Sequence, residues 1–179
     1  MIRNTITMNE NAFIAMTELL NCAGKYQLPK YSEANKESMQ KFLKGREELC
    51  EKGWAELDFD GKICPTAWFA RVIFALSHAR SVMCFTAEGH QEWFFQGPKE
   101  QLHVTPKDDI YTLTQCGTDE LFAWLKGTLY EAETGILTTY CKGHTEISEF
   151  SKTVQKTKQR ADQLARHMCM YFEKETGHA

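Results

Sequence analysis

Residues 53–87, GWAELDFDGKICPTAWFARVIFALSHARSVMCFTA, hold a short strand, a turn, an apolar helix and the opening strand of a sheet in one run. Trp54, Leu57 and Phe59 begin the strand, Asp60-Gly61 is a hairpin signal, and Lys62 to Cys64 returns. Pro65 then opens a helix, because its fixed φ and missing N–H suit a first turn. Over 65–78 that helix carries Trp68, Phe69, Val72, Ile73 and Leu76 on one stripe, with Ala70, Phe74 and Ala75 elsewhere. Being apolar nearly all round, it is expected in the core.

Downstream, from Arg80, the hydrophobic period falls to two. The runs 81–87 SVMCFTA, 90–96 HQEWFFQ, 101–106 QLHVTP and 110–116 IYTLTQC are strand-like and are separated by Glu88-Gly89, Gly97-Pro98 and the stretch 106–109. Connections this short join only antiparallel neighbours, so the runs form a meander. Thr118 or Asp119 can cap a helix over 119–129, and 136–140 ILTTY follows as a last strand. Residues 144–175 are expected to form one long helix capped by Thr145. Its seam, Ile147, Phe150, Val154, Thr157, Ala161, Leu164, Met168 and Tyr171, alternates steps of three and four. Lys152, Lys156, Lys158, Arg160 and Arg166 give that helix a basic side, which reads as its solvated face or as a surface for an acidic partner.

Upstream, Met8 to Leu20 is expected to be helical, with Thr7 and Glu10 as a capping box and Ala12, Phe13, Met16, Leu19 and Leu20 on one face. A second helix, capped by Ser32, has the stripe Met39, Phe42, Leu43, Leu49 and Cys50 and ends at Gly53. The whole chain, 1–179, thus reads as a single α+β domain. It has N-terminal helices, a buried helix near 65–78, an antiparallel meander sheet and a long C-terminal helix.

At 179 residues such a chain buries a sizeable core without disulfides or metals. No apolar run approaches the roughly 18 residues of a membrane span, and MIRNTITMNENAF lacks the apolar core of a secretory signal. A cytoplasmic location and no membrane insertion are expected. The seven cysteines are odd in number and widely spaced, a pattern of reduced thiols. A net charge of −3 argues against a nucleic-acid partner.

No pair of cysteines has CxxC spacing, the six histidines are scattered, and phosphate-loop, nucleophile-elbow and zincin motifs are missing from the sequence. No catalytic, cofactor-binding or metal-binding residue is therefore assigned, although catalytic groups can converge without a motif. His90 or His103 with Glu92 could make an acid–base pair on adjacent strands. Their alternation with Trp93, Phe95, Leu102 and Val104 instead places them on the solvent face of a half-buried sheet. Asp58 and Asp60 in DFDG lack the other ligands of a calcium loop and read as a turn. Trp93, Phe94 and Phe95 are three consecutive aromatics, so one must point away from the core and needs cover from this chain, a second subunit or a client.

The order of these elements resembles that of the EspG family of type VII (ESX) secretion chaperones over residues 7–125. The opening helix MNENAFIAMTELL, the Leu28-Pro29 connector, the Leu49–Trp54 junction, the hairpin DFDGKICP and the helix at Trp68–Ala79 carry the likeness, which is sharpest over Leu49–Ala79. It implies a cytosolic, non-enzymatic chaperone or adaptor that holds a helical secreted protein or toxin as client. The family fold comprises two related halves. This chain resembles one half, as a short Firmicutes-type relative, and a homodimer would restore the twofold shape. The recognition surface is then expected on the sheet around Ser81–Gln96, with Phe85, Trp93, Phe94, Phe95 and His103 as protein-binding residues. The alternatives are a small α+β enzyme or ligand-binding protein with a site assembled from distant residues, and a purely structural homodimer.

Overall fold

The computed structural model describes residues 4–31, 35–98, 100–131, 134–141 and 144–151. Their architecture is α+β, as expected. The antiparallel sheet has seven strands among the described residues, in the order β1-β7-β6-β5-β4-β8-β9. The central meander follows the sequence pattern closely: β4 (Ser81–Ala87), β5 (His90–Gln96), β6 (Gln101–Lys107) and β7 (Ile110–Cys116). Glu88 and Gly89, both at positive φ, close the tight β4–β5 turn.

Both edges differ from expectation. Thr5–Asn9 is a strand, β1, paired with β7, and helix α1 (Glu10–Leu19) starts only after it. Ile6 and Met8 alternate into the core, and the cap is Asn9, whose side chain accepts the Ala12 N–H at 2.9 Å. Thr7 caps nothing because it lies inside the strand. At the far edge, β8 (Thr134–Cys141) contains the expected last strand and pairs with β4. The following β9 (His144–Ser151) pairs antiparallel with β8, so the long C-terminal helix expected over 144–175 does not begin at Thr145. Its remainder lies outside the described residues. Pairing with β8 satisfies the backbone groups of 144–151 that face it, which the three-and-four spacing of Ile147 and Phe150 could not reveal.

Helix α2 (Lys36–Glu51) is capped by the Asn35 side chain, while Ser32 lies outside the described residues. It packs on α1 at Gly45, where a Cβ would stand 2.1 Å from the Asn11 carbonyl oxygen. That contact leaves Met39 and Leu43 of the expected stripe exposed. Gly53 stands just after the C-cap Lys52 at φ +66, a left-handed conformation that glycine adopts without strain. Next, β2 (Ala55–Leu57) and β3 (Ile63–Pro65) form a separate two-stranded hairpin. The helix expected over 65–78 is two short ones, α3 (Ala67–Val72), capped by Thr66, and α4 (Phe74–Ser77), with a break at Ile73. They bury Phe69, Val72, Ile73, Ala75 and Leu76 but leave Trp68 and Phe74 exposed, so the segment is amphipathic.

The sheet is covered on both faces. One core joins α1 and α2 with the α3–α4 segment through Ile6, Phe13, Trp93, Phe95, Leu102, Val104 and Leu113. Helix α5 (Thr118–Glu131) covers the other face over a smaller core of Met83, Phe85, Ala87, Phe94, Leu121, Leu125 and Leu137.

Candidate functional site

Successive residues of a strand face opposite sides, so the aromatic run of β5 is divided between the two cores. Trp93 and Phe95 point to the larger core, where the Trp93 Nε1–H donates to the Tyr26 carbonyl at 2.9 Å. Phe94 points to the smaller core beside Phe85. All four aromatics expected to bind protein are buried. The expectation that they form a docking surface is therefore corrected: the chain covers both faces itself, and α5 provides the cover that Phe94 required.

His103 is also placed differently. It pairs across the sheet with Phe94, and its ring stacks on that phenyl at 4.5 Å with Trp124 of α5 at 4.9 Å. Its Nε2 lies 3.0 Å from Glu92 Oε2, and Thr128 Oγ donates to the same carboxylate oxygen at 3.3 Å. The His103 and Glu92 side chains retain only 14% and 27% of their exposure. They belong to the α5-covered face and not to the solvent face; of the three polar residues only His90 is exposed. A half-buried imidazole beside a carboxylate can hold or pass a proton. Here Trp124 packed on His103 and Thr128 bonded to Glu92 fasten α5 to the sheet.

The topology explains why α5 lies there. Four antiparallel steps separate β7 from β8, so these strands run the same way, and α5 must cross β6, β5 and β4 from the end of one to the start of the other. The crossing covers roughly 19 Å sideways and 20 Å or more along the strands, a diagonal near 30 Å, at about 4.8 Å per strand spacing and 3.3 Å per residue. A helix of 14 residues spans about 21 Å. Most of that diagonal is spanned by α5 itself. Its contacts follow the diagonal: Gln101 Nε2 donates to Thr118 Oγ at 3.4 Å, Trp124 meets His103, and Thr128 reaches Glu92. Packed on this diagonal, α5 buries Met83, Phe85, Phe94 and Leu137 of the sheet against its Leu121 and Leu125.

The opposite face has its own fastening in the connector after α1. Tyr26 and Gln27 both adopt positive φ, at 56° and 61°, a strained conformation for non-glycine residues. Gln27 Nε2 donates to Thr138 Oγ at 3.2 Å and Tyr140 OH at 3.0 Å, and its Oε1 accepts from Gln91 Nε2 at 3.0 Å. Gln91 also contacts Cys84 Sγ at 3.1 Å. Burial raises the Cys84 thiol pKa and pushes that of Cys22 up to about 11. Protonated thiols of this kind are packing groups, not nucleophiles.

Exposed large apolar side chains lie elsewhere: Met39 and Leu43 on α2, Ile110, Ile136 and Ile147 on β7, β8 and β9, and Leu57, Phe59, Trp68 and Phe74 on the hairpin and the helices that follow it. Leu57 is 62% exposed, Trp68 46%, and Phe59 fully, at 112%. The sequence marks the hairpin turn but not the exposure of Phe59, because apolar residues flanking a turn signal ordinarily pack inward. Among the described residues no group of three or more His, Cys, Asp or Glu side chains is arranged to hold a metal ion, and no helix is long and apolar enough to cross a membrane. Neither a protein-family model nor a curated protein matches this sequence.

Proposed function

We propose that this protein is a non-enzymatic binding protein, a cytosolic chaperone or adaptor for a helical substrate or accessory protein of a type VII-like secretion system. One observation carries the reading. The exposed apolar side chains Leu57, Phe59 and Trp68 fall within Leu49–Ala79, the stretch where the EspG-like pattern is sharpest. Exposed aromatics on an otherwise well-covered fold are a usual ingredient of protein interfaces. The recognition surface therefore belongs to the hairpin and neighbouring helices, not to the sheet faces. Co-expression with the products of adjacent genes, followed by co-purification, tests this. The expected result is a soluble complex with a secreted helical protein or toxin; the absence of any such partner encoded in the locus contradicts the proposal.

A second reading, a small enzyme or ligand-binding protein, is favoured by the His103–Glu92–Thr128 cluster. Substituting Glu92→Gln separates the readings. On the proposed function it loosens α5 and leaves client binding intact, whereas on the second it abolishes a ligand-dependent signal.

A further inference from the structure

The tip of the β2–β3 hairpin is braced where a surface loop has no need to be. Asp58 Oδ1 accepts the Asp60 N–H at 3.0 Å and the Lys62 N–H at 2.7 Å. The Asp58 N–H donates to the Lys62 carbonyl at 2.8 Å and the Gly61 N–H to the Asp58 carbonyl at 3.0 Å. Gly61 supplies the positive φ, +72°, that the turn requires. From α2, an Arg46 guanidinium N–H donates to the Gly61 carbonyl at 3.1 Å. These bonds fix the backbone on either side of Phe59, whose side chain is fully exposed. Phe74 is also exposed, yet it stacks on His78 at 4.1 Å.

A bare phenyl on a rigid turn has already lost most of the backbone freedom that binding would otherwise cost, which is the requirement for an anchor residue. Its flanks identify the partner's chemistry. Glu56, Asp58 and Asp60 against Lys62 leave the hairpin residues 56–62 at three negative charges and one positive, or −2, and the Arg46 guanidinium on Gly61 offsets one of these, so the tip stays acidic at −1. We infer that this tip is a preformed anchor, and that Phe59 inserts into an apolar pocket rimmed by basic side chains on a partner protein. The inference rests on the reading that the protein acts by binding another protein.

The test places p-benzoylphenylalanine at position 59 of the full chain in cells, with position 43 on α2 as control. Light-induced cross-linking to one defined protein from position 59 and not from 43 is expected. That protein, purified, is then titrated with wild type, Phe59→Ala and Asp60→Lys. Phe59→Ala, with an unchanged melting temperature, should weaken binding about 30-fold or more. Asp60→Lys should weaken it about 3- to 10-fold in low salt, with the effect fading near 1 M salt. No cross-link, a cross-link to a second copy of this chain, equal affinity for Phe59→Ala, or no loss with Asp60→Lys overturns the anchor. Two failures are distinguishable. A secreted helical client that binds Phe59→Ala normally leaves the proposed function standing without the anchor. An anchored partner that is neither a secreted protein nor part of a secretion system leaves the anchor standing without that function.

Discussion

The two faces of the sheet are closed by different means. Against one face lie α1 and α2 with the α3–α4 segment, a thick layer whose shared core includes Phe13, Met16, Leu49, Phe69 and Leu76. Against the other, among the described residues, lies one helix, α5, in a core of seven buried apolar residues, tied to the sheet at Gln101, His103 and Glu92. The first face is sealed by apolar area. The second is sealed by the crossover helix and its polar ties to the sheet. Neither leaves the central aromatics for a partner, and the exposed apolar side chains are displaced to the periphery.

Phe94 and Phe95, adjacent on β5 and both fully buried, give the largest contrast. Phe95→Ala should cost about 4–5 kcal/mol, because the thick layer cannot collapse onto the cavity, and Phe94→Ala about 3 kcal/mol, because a single helix can settle. Chemical denaturation of both variants checks this, and equal losses would erase the distinction. Leu125→Ala should cost about 2–3 kcal/mol and speed amide exchange in α5 while leaving that of α1 unchanged. Faster exchange in both helices would show that the faces open together.

The larger core also carries a pH signature. Cys22 titrates at about 11 when folded against 9.0 for the free group, so above pH 9 the unfolded chain loses the proton first and gains stability. Resistance to urea is fully present below pH 9 and should fall between pH 9 and 11, with Cys22 contributing at most about 2–3 kcal/mol; Cys22→Ala should reduce the fall without abolishing it, because burial also raises the Cys84 thiol. A smaller effect, about 1–2 kcal/mol, is expected for Glu92→Gln on the α5 side, which weakens the bonds to His103 and Thr128. Urea denaturation measures both.

The same contrast shows what sequence pattern conveys. The meander was legible to the residue at β4, β5 and β7, because period-two runs bounded by Glu88-Gly89 and Gly97-Pro98 have few other solutions. The edges were not. In TITMN, Ile6 and Met8 alternate for only two turns of the pleat and run into a helical stripe, so strand and helix merge. In β9, Ile147 and Phe150 fit a heptad as well as a strand, and only pairing with β8 decides between them. The need for cover over Phe94 and the nearness of His103 to Glu92 were both legible. That α5 would cross three strands to supply Trp124 and Thr128 was not, because strand order beyond the meander is a long-range property; the spacing of Leu121, Trp124, Leu125 and Thr128 was the available signal. For Phe59 the turn was read correctly, but solvent exposure is decided by what surrounds a hairpin, which local pattern does not contain.

The sheet aromatics hold the fold together, whereas Phe59 at the hairpin tip stands outside the core. Paired thermal denaturation of Phe94→Ala and Phe59→Ala tests this contrast most directly. The expected result is a loss of about 3 kcal/mol for Phe94→Ala and a change within about 0.5 kcal/mol for Phe59→Ala. Unchanged stability for Phe94→Ala, or a loss at Phe59 matching that at Phe94, would contradict it.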